Sequence, residues 1–91
     1  MRIHELKILP KYFEIVVNGE KTFEIRKNDR DFQTGDGIEL KEFDYTKNKF
    51  TGRCVFGTIS YIFHGGEYGL EQGYCVFSFK INQIAMNEEV K

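Results

Sequence analysis

Gly19-Glu20-Lys21-Thr22-Phe23-Glu24-Ile25-Arg26-Lys27-Asn28-Asp29-Arg30, followed shortly by Thr34-Gly35-Asp36-Gly37, is the stretch on which the reading of this chain turns. From Thr22 to Arg26 polar and apolar residues alternate, the period of a half-buried strand, so Phe23 and Ile25 share one face and Thr22, Glu24 and Arg26 the other. That second face gathers a hydroxyl, a carboxylate and a guanidinium, with Lys21 at the start of the strand, into a compact hydrogen-bonding array. Two readings stand beside each other at this point. The array is a ligand site, or its members bond to one another and across the sheet, which stabilises a sheet by roughly 0.2–1 kcal/mol per pair.

Upstream, Ile3 to Leu9 reads as a first strand that Pro10 stops. Proline suits the first turn of a helix and glycine the position just past its end, so Pro10 to Asn18, closed by Gly19, is expected to be a helix of about two turns. Phe13, Val16 and Val17 form its apolar stripe, broadened by Tyr12 and Ile15. A helix this short needs packing to hold it. Docked on the sheet, it either plugs a barrel end or forms one wall of a cleft whose other wall is the Lys21 to Arg26 strand.

Downstream, Lys27 to Asp31 is expected to be a loop with Phe32 turned inward, and Thr34 to Gly37 a turn opening the strand Ile38 to Lys41. Phe43 breaks that strand's alternation, which a bulge near Glu42 or the strand's end would explain. Asp44 to Gly52 reads as a polar hairpin connection. Arg53 to Phe63 carries Val55, Ile59, Tyr61 and Phe63 on one face and Phe56 and Ile62 on the other, the pattern of a strand buried on both sides, with Gly57 marking a bend or a close backbone approach. His64 to Gly73 is a glycine-rich loop. Tyr74 to Ile84 closes the sheet, with Cys75, Phe77, Phe79 and Ile81 inward, and the charged run Asn87 to Lys91 is expected to fray.

The 91 residues, with no internal repeat, are read as one domain over 1–91. Nine Phe and five Tyr without Trp make rings the main source of burial, and nine Gly against one Pro suit a turn-rich β fold. A net charge of -1 excludes strong nonspecific nucleic-acid binding by bulk charge, so any such binding must be local. The four cations between Lys21 and Arg30 are interleaved by Glu24 and Asp29. Cys54 and Cys75 read as reduced core thiols, a bridge between neighbouring strands being the alternative. His4 and His64 are isolated, so no metal and no cofactor is expected. No apolar run reaches membrane-spanning length and the N-terminus lacks an apolar leader, which predicts a cytoplasmic protein without a membrane partner.

The run Gly-x-Lys-Thr-x-Glu-x-Arg after a short helix, with Gly-Asp opening the next strand, resembles the signature of the ASCH domain, a branch of the PUA-like superfamily. His4 to Ile8 and Lys27 to Phe32 are similar to stretches of small bacterial and phage ASCH-type proteins, and the likeness runs from about residue 3 to 84. The resemblance implies an α+β, mainly β fold: a small barrel of about five strands with one short helix after the first strand. It also implies an RNA- or nucleotide-binding role.

On that reading Lys21, Thr22, Glu24 and Arg26 line the ligand cleft, Lys27 and Arg30 extend phosphate contacts, and Tyr74, or Tyr68, stacks on a base. Glu24 would accept from an exocyclic amine while Arg26 donates to a carbonyl or phosphate. Some ASCH-type relatives are amidohydrolases acting on N4-acetylcytidine through a Lys-Thr-x-Thr-x-Arg motif whose second Thr is the nucleophile. Lys21, Thr22 and Arg26 match it, but Glu24 stands at the nucleophile position, and only Glu67 or Glu71 could replace the distant assisting Glu. No catalytic residue is therefore assigned. A small protein-interaction module is the remaining alternative, which the near-neutral charge allows.

Overall fold

In the computed structural model, which describes residues 1–86, the Pro10 and Gly19 signals delimit the helix as expected. Strand β1 covers Ile3–Ile8 and helix α1 covers Pro10–Val17, so Leu9 serves as the N-cap rather than the strand's end. Gly19 takes φ +81°, a left-handed conformation that costs a glycine little. This lets Gly19 N–H donate to Val16 C=O at 3.0 Å and Glu20 N–H to Ile15 C=O at 2.9 Å, the paired bonds of a Schellman cap. Lys21 N–H also reaches Ile15 C=O, at 3.0 Å, so the helix end fixes where the next strand starts.

The remaining strands are β2 (Phe23–Lys27), β3 (Gly37–Asp44), β4 (Lys49–His64) and β5 (Tyr74–Ala85). They form one sheet in the order β1-β3-β4-β5-β2, with β1 parallel to β3 and every other pairing antiparallel. Strands β1 and β2, neighbours in sequence, are thus the two edges. In a flat sheet four strand spacings would part them by about 19 Å, yet Arg26 on β2 reaches the Lys7 carbonyl on β1 at 2.7 Å. The sheet is curled into a half-barrel, mainly β with one short helix after the first strand.

Its concave side holds the core, built from Leu6, Phe13, Phe32, Leu40, Val55 and Phe77 with their neighbours, and α1 contributes Phe13 and Val16. Phe32 is buried, as its position after the polar loop predicts. His4 of β1 enters this core and meets Asp36, in the turn before β3, at 2.8 Å. Asp36 also accepts Gln33 N–H at 3.1 Å. The His4 hydrogen bond, helped by the main-chain donors Arg2 and Gln33, holds the Asp36 carboxyl below its ordinary value despite burial.

The irregularity expected near Glu42 is present, but its extra residues lie in β4: the register shifts between Lys41, paired with Cys54, and Phe43, paired with Phe50. Glu42 follows Ile38 and Leu40 inward by the strand's own alternation, and Arg53 clamps it with Nε and Nη2 donors, both at 2.8 Å, while the Thr51 hydroxyl donates at 2.6 Å. Burial pushes the Glu42 carboxyl up, and the Arg53 and Thr51 hydrogen bonds reverse this and leave it low. Arg53 continues to Glu14 of α1 at 3.2 Å, tying the helix to the sheet.

Three expectations are corrected. The polar connection is not Asp44 to Gly52 but the four-residue turn 45–48, because Asp44 Oδ1 accepts from Thr46 N–H at 2.9 Å and Asn48 supplies a positive φ of 55°, so β4 already begins at Lys49. Strand β4 is buried on one side only, since Phe56 is half-buried, and Ile62, paired with Phe77 beyond the register shift at Tyr61, packs against the same core. Tyr61 faces out, because the register shift between Ile59 and Tyr61 sets it opposite Ser78, and Ile81, in continuous register with Phe79, is exposed opposite Gly57, which has no side chain to cover it. Gly57 itself sits at a second shift, after Phe56, where an added Cβ would lie 2.7 Å from the Lys80 carbonyl oxygen, the close approach expected of it. Cys54 and Cys75 are free thiols, each raised in pKa by burial, with Glu39 adding to the effect at Cys54. The fraying expected of Asn87 to Lys91 lies outside the described residues.

Candidate functional site

The strand that decides the fold is inverted relative to an ordinary amphipathic edge. In β2 the polar residues turn inward and Phe23 and Ile25 stay exposed. Thr22 C=O accepts Phe79 N–H at 3.1 Å, which phases the ladder so that the main-chain groups of Phe23 and Ile25 point to the free edge. The inward side then has to accommodate a charge. Glu24 is 4% exposed, and both its oxygens are engaged: Lys21 Nζ at 2.6 Å from Oε2 and Arg26 Nε at 2.9 Å from Oε1. Lys21 is held from behind by the Ile15 carbonyl and donates a second bond to Phe23 C=O at 2.8 Å. A buried carboxylate with two cations is a self-consistent unit, since each charge offsets the others' desolvation.

Around this unit lies a cleft of about 690 Å³, within the usual size of small-ligand sites. Tyr12 and Ile15 of α1 form one wall, Phe23 and Ile25 of β2 the other, and Lys21 and Arg26 reach in. Lys21 Nζ sits 5.6 Å from the Tyr12 ring and 5.2 Å from the Phe23 ring, a cation between two aromatic faces. The cleft is the seam of the half-barrel, the place where β1 and β2 would pair if the sheet closed.

Two arginines span the seam. The unpaired carbonyls on the outer edge of β1 are met by Arg26, at Lys7 C=O and 2.7 Å, and by Arg30, at Glu5 C=O and 3.0 Å. Arg26 thus divides the seam, with a second hollow of about 410 Å³ on its other side, lined by Arg30, Lys41 and Phe50 and sharing Lys7 and Arg26 with the first.

Of the residues singled out from sequence, Lys21, Glu24 and Arg26 come together in the cleft, and Arg30 lies in the adjoining hollow. Thr22 is exposed and enters neither lining, Lys27 projects from the outer side of β2, and Tyr74 pairs with Lys27 at that strand's far end. Tyr68 is exposed in the loop. Glu24 stands behind the cations rather than in front of them. Sequence reasoning missed Lys7, Lys41 and Phe50, whose convergence depends on the parallel β1–β3 register that sets Lys7 opposite Lys41. No local signal encodes that pairing; the alternation of Glu5 and Lys7 with buried neighbours was the one available sign that Lys7 faces out.

Among the described residues no group of three His, Cys, Asp or Glu side chains could hold a metal ion, and no helix is long and apolar enough to cross a membrane. Residues 3–79 match the family described as Domain of unknown function (DUF3850), and the chain belongs to that family. It is also similar to an uncharacterized 12.9 kDa protein in the GpA 3′ region of Escherichia phage P2, at 42% identity over 59 residues, which is 65% of this chain. The aligned part covers 52% of that relative, so the chain spans about half of its length.

Proposed function

We propose that this protein binds an RNA or nucleotide-like ligand in the seam between β1 and β2, as an ASCH-type, PUA-like domain would. The observation that carries the reading is the pair Lys21 and Arg26, held by a buried carboxylate at the floor of a cleft with aromatic walls. Their side chains keep N–H donors beyond those given to Glu24, Phe23 and Lys7, and donors suit base carbonyls, ring nitrogens and phosphates. Tyr12 and Phe23 offer surfaces on which a base can stack. Glu24 positions the cations, Lys21 occupies the Phe23 carbonyl, and the Phe23 N–H with the Ile25 N–H and C=O on the free edge supply the donor and acceptor pattern that reads a base edge.

Lys21→Ala is the direct test, because Arg26 still pairs with Glu24 and the sheet keeps its seam contact. Affinity for single ribonucleosides, measured by calorimetry at low salt, is expected to fall about tenfold, the loss of one or two charge-assisted bonds. Unchanged affinity with an unchanged circular dichroism spectrum would remove the cleft from consideration. N4-acetylcytidine belongs in the same series. Glu24, already neutralised by two cations, presents no hydroxyl nucleophile, so binding without acetate release is the expected result, and release that disappears in Lys21→Ala would establish the hydrolytic alternative instead.

A protein partner is the second reading, and one observation favours it: Phe23 and Ile25 of β2, which wall the cleft, and Tyr61 of β4 all leave much apolar surface exposed. Recovery of a stoichiometric protein complex with no nucleic acid would support it.

A further inference from the structure

We infer that the second hollow, on the far side of Arg26, is a phosphate subsite, so that the ligand of the seam is a phosphodiester-bearing single strand rather than a free nucleoside. The inference rests on the cleft reading above and extends it to the chemistry of the ligand's backbone.

Lys7, Arg26, Arg30 and Lys41 line this hollow, against the single carboxylate of Glu5. The arrangement is electrostatically uneven. Lys7 and Lys41 are direct partners across the parallel β1–β3 ladder, and like charges in that relation destabilise a sheet. Lys41 is relieved by Glu5 Oε1 at 3.6 Å, a pair whose carboxylate is two-thirds exposed and so weakly bound. Lys7 lies instead over aromatic rings, with Nζ 4.2 Å from the Phe43 centroid and 5.8 Å from that of Phe50, which holds the ammonium without neutralising it. Arg30 spends its Nη1 donor on the Glu5 main chain, and a carbonyl leaves its charge uncompensated. An anion with several acceptor oxygens would relieve all three cations at once.

The aromatic floor supports the same ligand. Phe50 is 45% exposed at the rim of this hollow, with Lys41 Nζ 4.9 Å from its centroid. It stands in T-shaped contact with Phe43, 4.9 Å away, which fixes its ring. Cations beside a fixed, half-exposed ring are what a single strand needs, a charge for each phosphate and a face for a base. The two hollows share Lys7 and Arg26, so a base seated against Tyr12 and Phe23 would carry its own phosphate across the Arg26 strut.

The experiment titrates the four ribonucleosides, their 3′- and 5′-monophosphates and a short single-stranded RNA against the whole protein and against Lys41→Gln and Lys41→Gln/Arg30→Gln. Glutamine keeps the stem of Lys41 near Phe50 while removing its charge, and the single variant remains informative should the double one lose its fold. The expected result is a phosphate gain of about tenfold over the matching nucleoside, lost in the variants while nucleoside affinity stays. For the RNA, the slope of log affinity against log salt should drop in magnitude by about 0.7 for each phosphate contact removed. Nucleosides and phosphates binding alike in the native protein, or a gain that survives in both variants, would overturn the subsite and leave the cleft reading intact. If no probe binds at all, both readings fall together.

Discussion

Removing the side chain of Arg26 should open the seam. Arg26→Ala takes away one of the two cations on a carboxylate that is 4% exposed, and leaves the Lys7 carbonyl without its donor. Deleting one partner of a buried ion pair costs about 3–5 kcal/mol. Lys21 remains on Glu24 at 2.6 Å and the side chain of Arg26 is 24% exposed, so the low end, about 3 kcal/mol, is the expected loss. For a domain of this size each kcal/mol moves Tm by about 4–8 °C, which places the shift at about 12–24 °C. Thermal melts followed by far-ultraviolet circular dichroism would read it. Glu24→Gln and the double variant complete a cycle, in which a coupling above about 1 kcal/mol is expected for groups in contact. Arg26→Lys should recover little, because an ammonium cannot serve Glu24 and the Lys7 carbonyl with a planar fork. A Tm drop below about 4 °C, or strictly additive losses, would refute the idea that this strut holds the two edges together.

Other perturbations test other joints. Asp36 and Glu42 are both held below their ordinary values of 3.8 and 4.5, so their stabilisation is complete only above those values and disappears as pH falls through the depressed folded ones. Asp36→Asn should therefore lower Tm more near pH 7 than near pH 3; an equal drop at both would show that the His4 contact does not depend on the carboxylate's charge. Gly57→Ala places a Cβ 2.7 Å from a main-chain oxygen of β5, where nothing flexible can yield, and should cost about 1–3 kcal/mol by urea denaturation. Gly57→Ala at native stability would mean that β4 and β5 separate there easily. Cys75, fully buried with its thiol pushed up by burial, should react with a disulfide reagent only at the rate of unfolding, and fast labelling in native buffer would contradict that placement.

Much of the fold is legible because it is written locally. Pro10 and Gly19 delimit the helix through their own backbone constraints, and the run Glu42-Phe43 announces a bulge by breaking period two. The alternation in Phe23 to Arg26 is equally plain, but alternation alone does not say which side is in. A reader of propensities would bury Phe23 and Ile25, and only the clamp of Lys21 and Arg26 on Glu24 lets the polar side turn inward. The face of Tyr61 was not readable either, since the register shift that moves it is decided by both paired strands, and the exposure of Ile81 depends on its partner being Gly57. The same limit applies to the second hollow. Its lysines come from residues 7 and 41, and nothing near either in sequence says that β1 and β3 run side by side.

The placement of β1 and β2 at opposite edges bears on how the chain is made. Helix α1 and both edge strands leave the ribosome first, yet β1 waits for β3, and β2 has no partner until β5, whose last residue is Ala85, has been synthesised. At about 5–20 residues per second, the β2 segment spends several seconds with no ladder to join. Folding of this sheet is accordingly expected to wait for β5, with long loop closures setting its pace. Ribosome-stalled chains ending after β4 should remain protease-sensitive through residues 19–30, and resistance there should arrive in one step once β5 is clear of the exit tunnel.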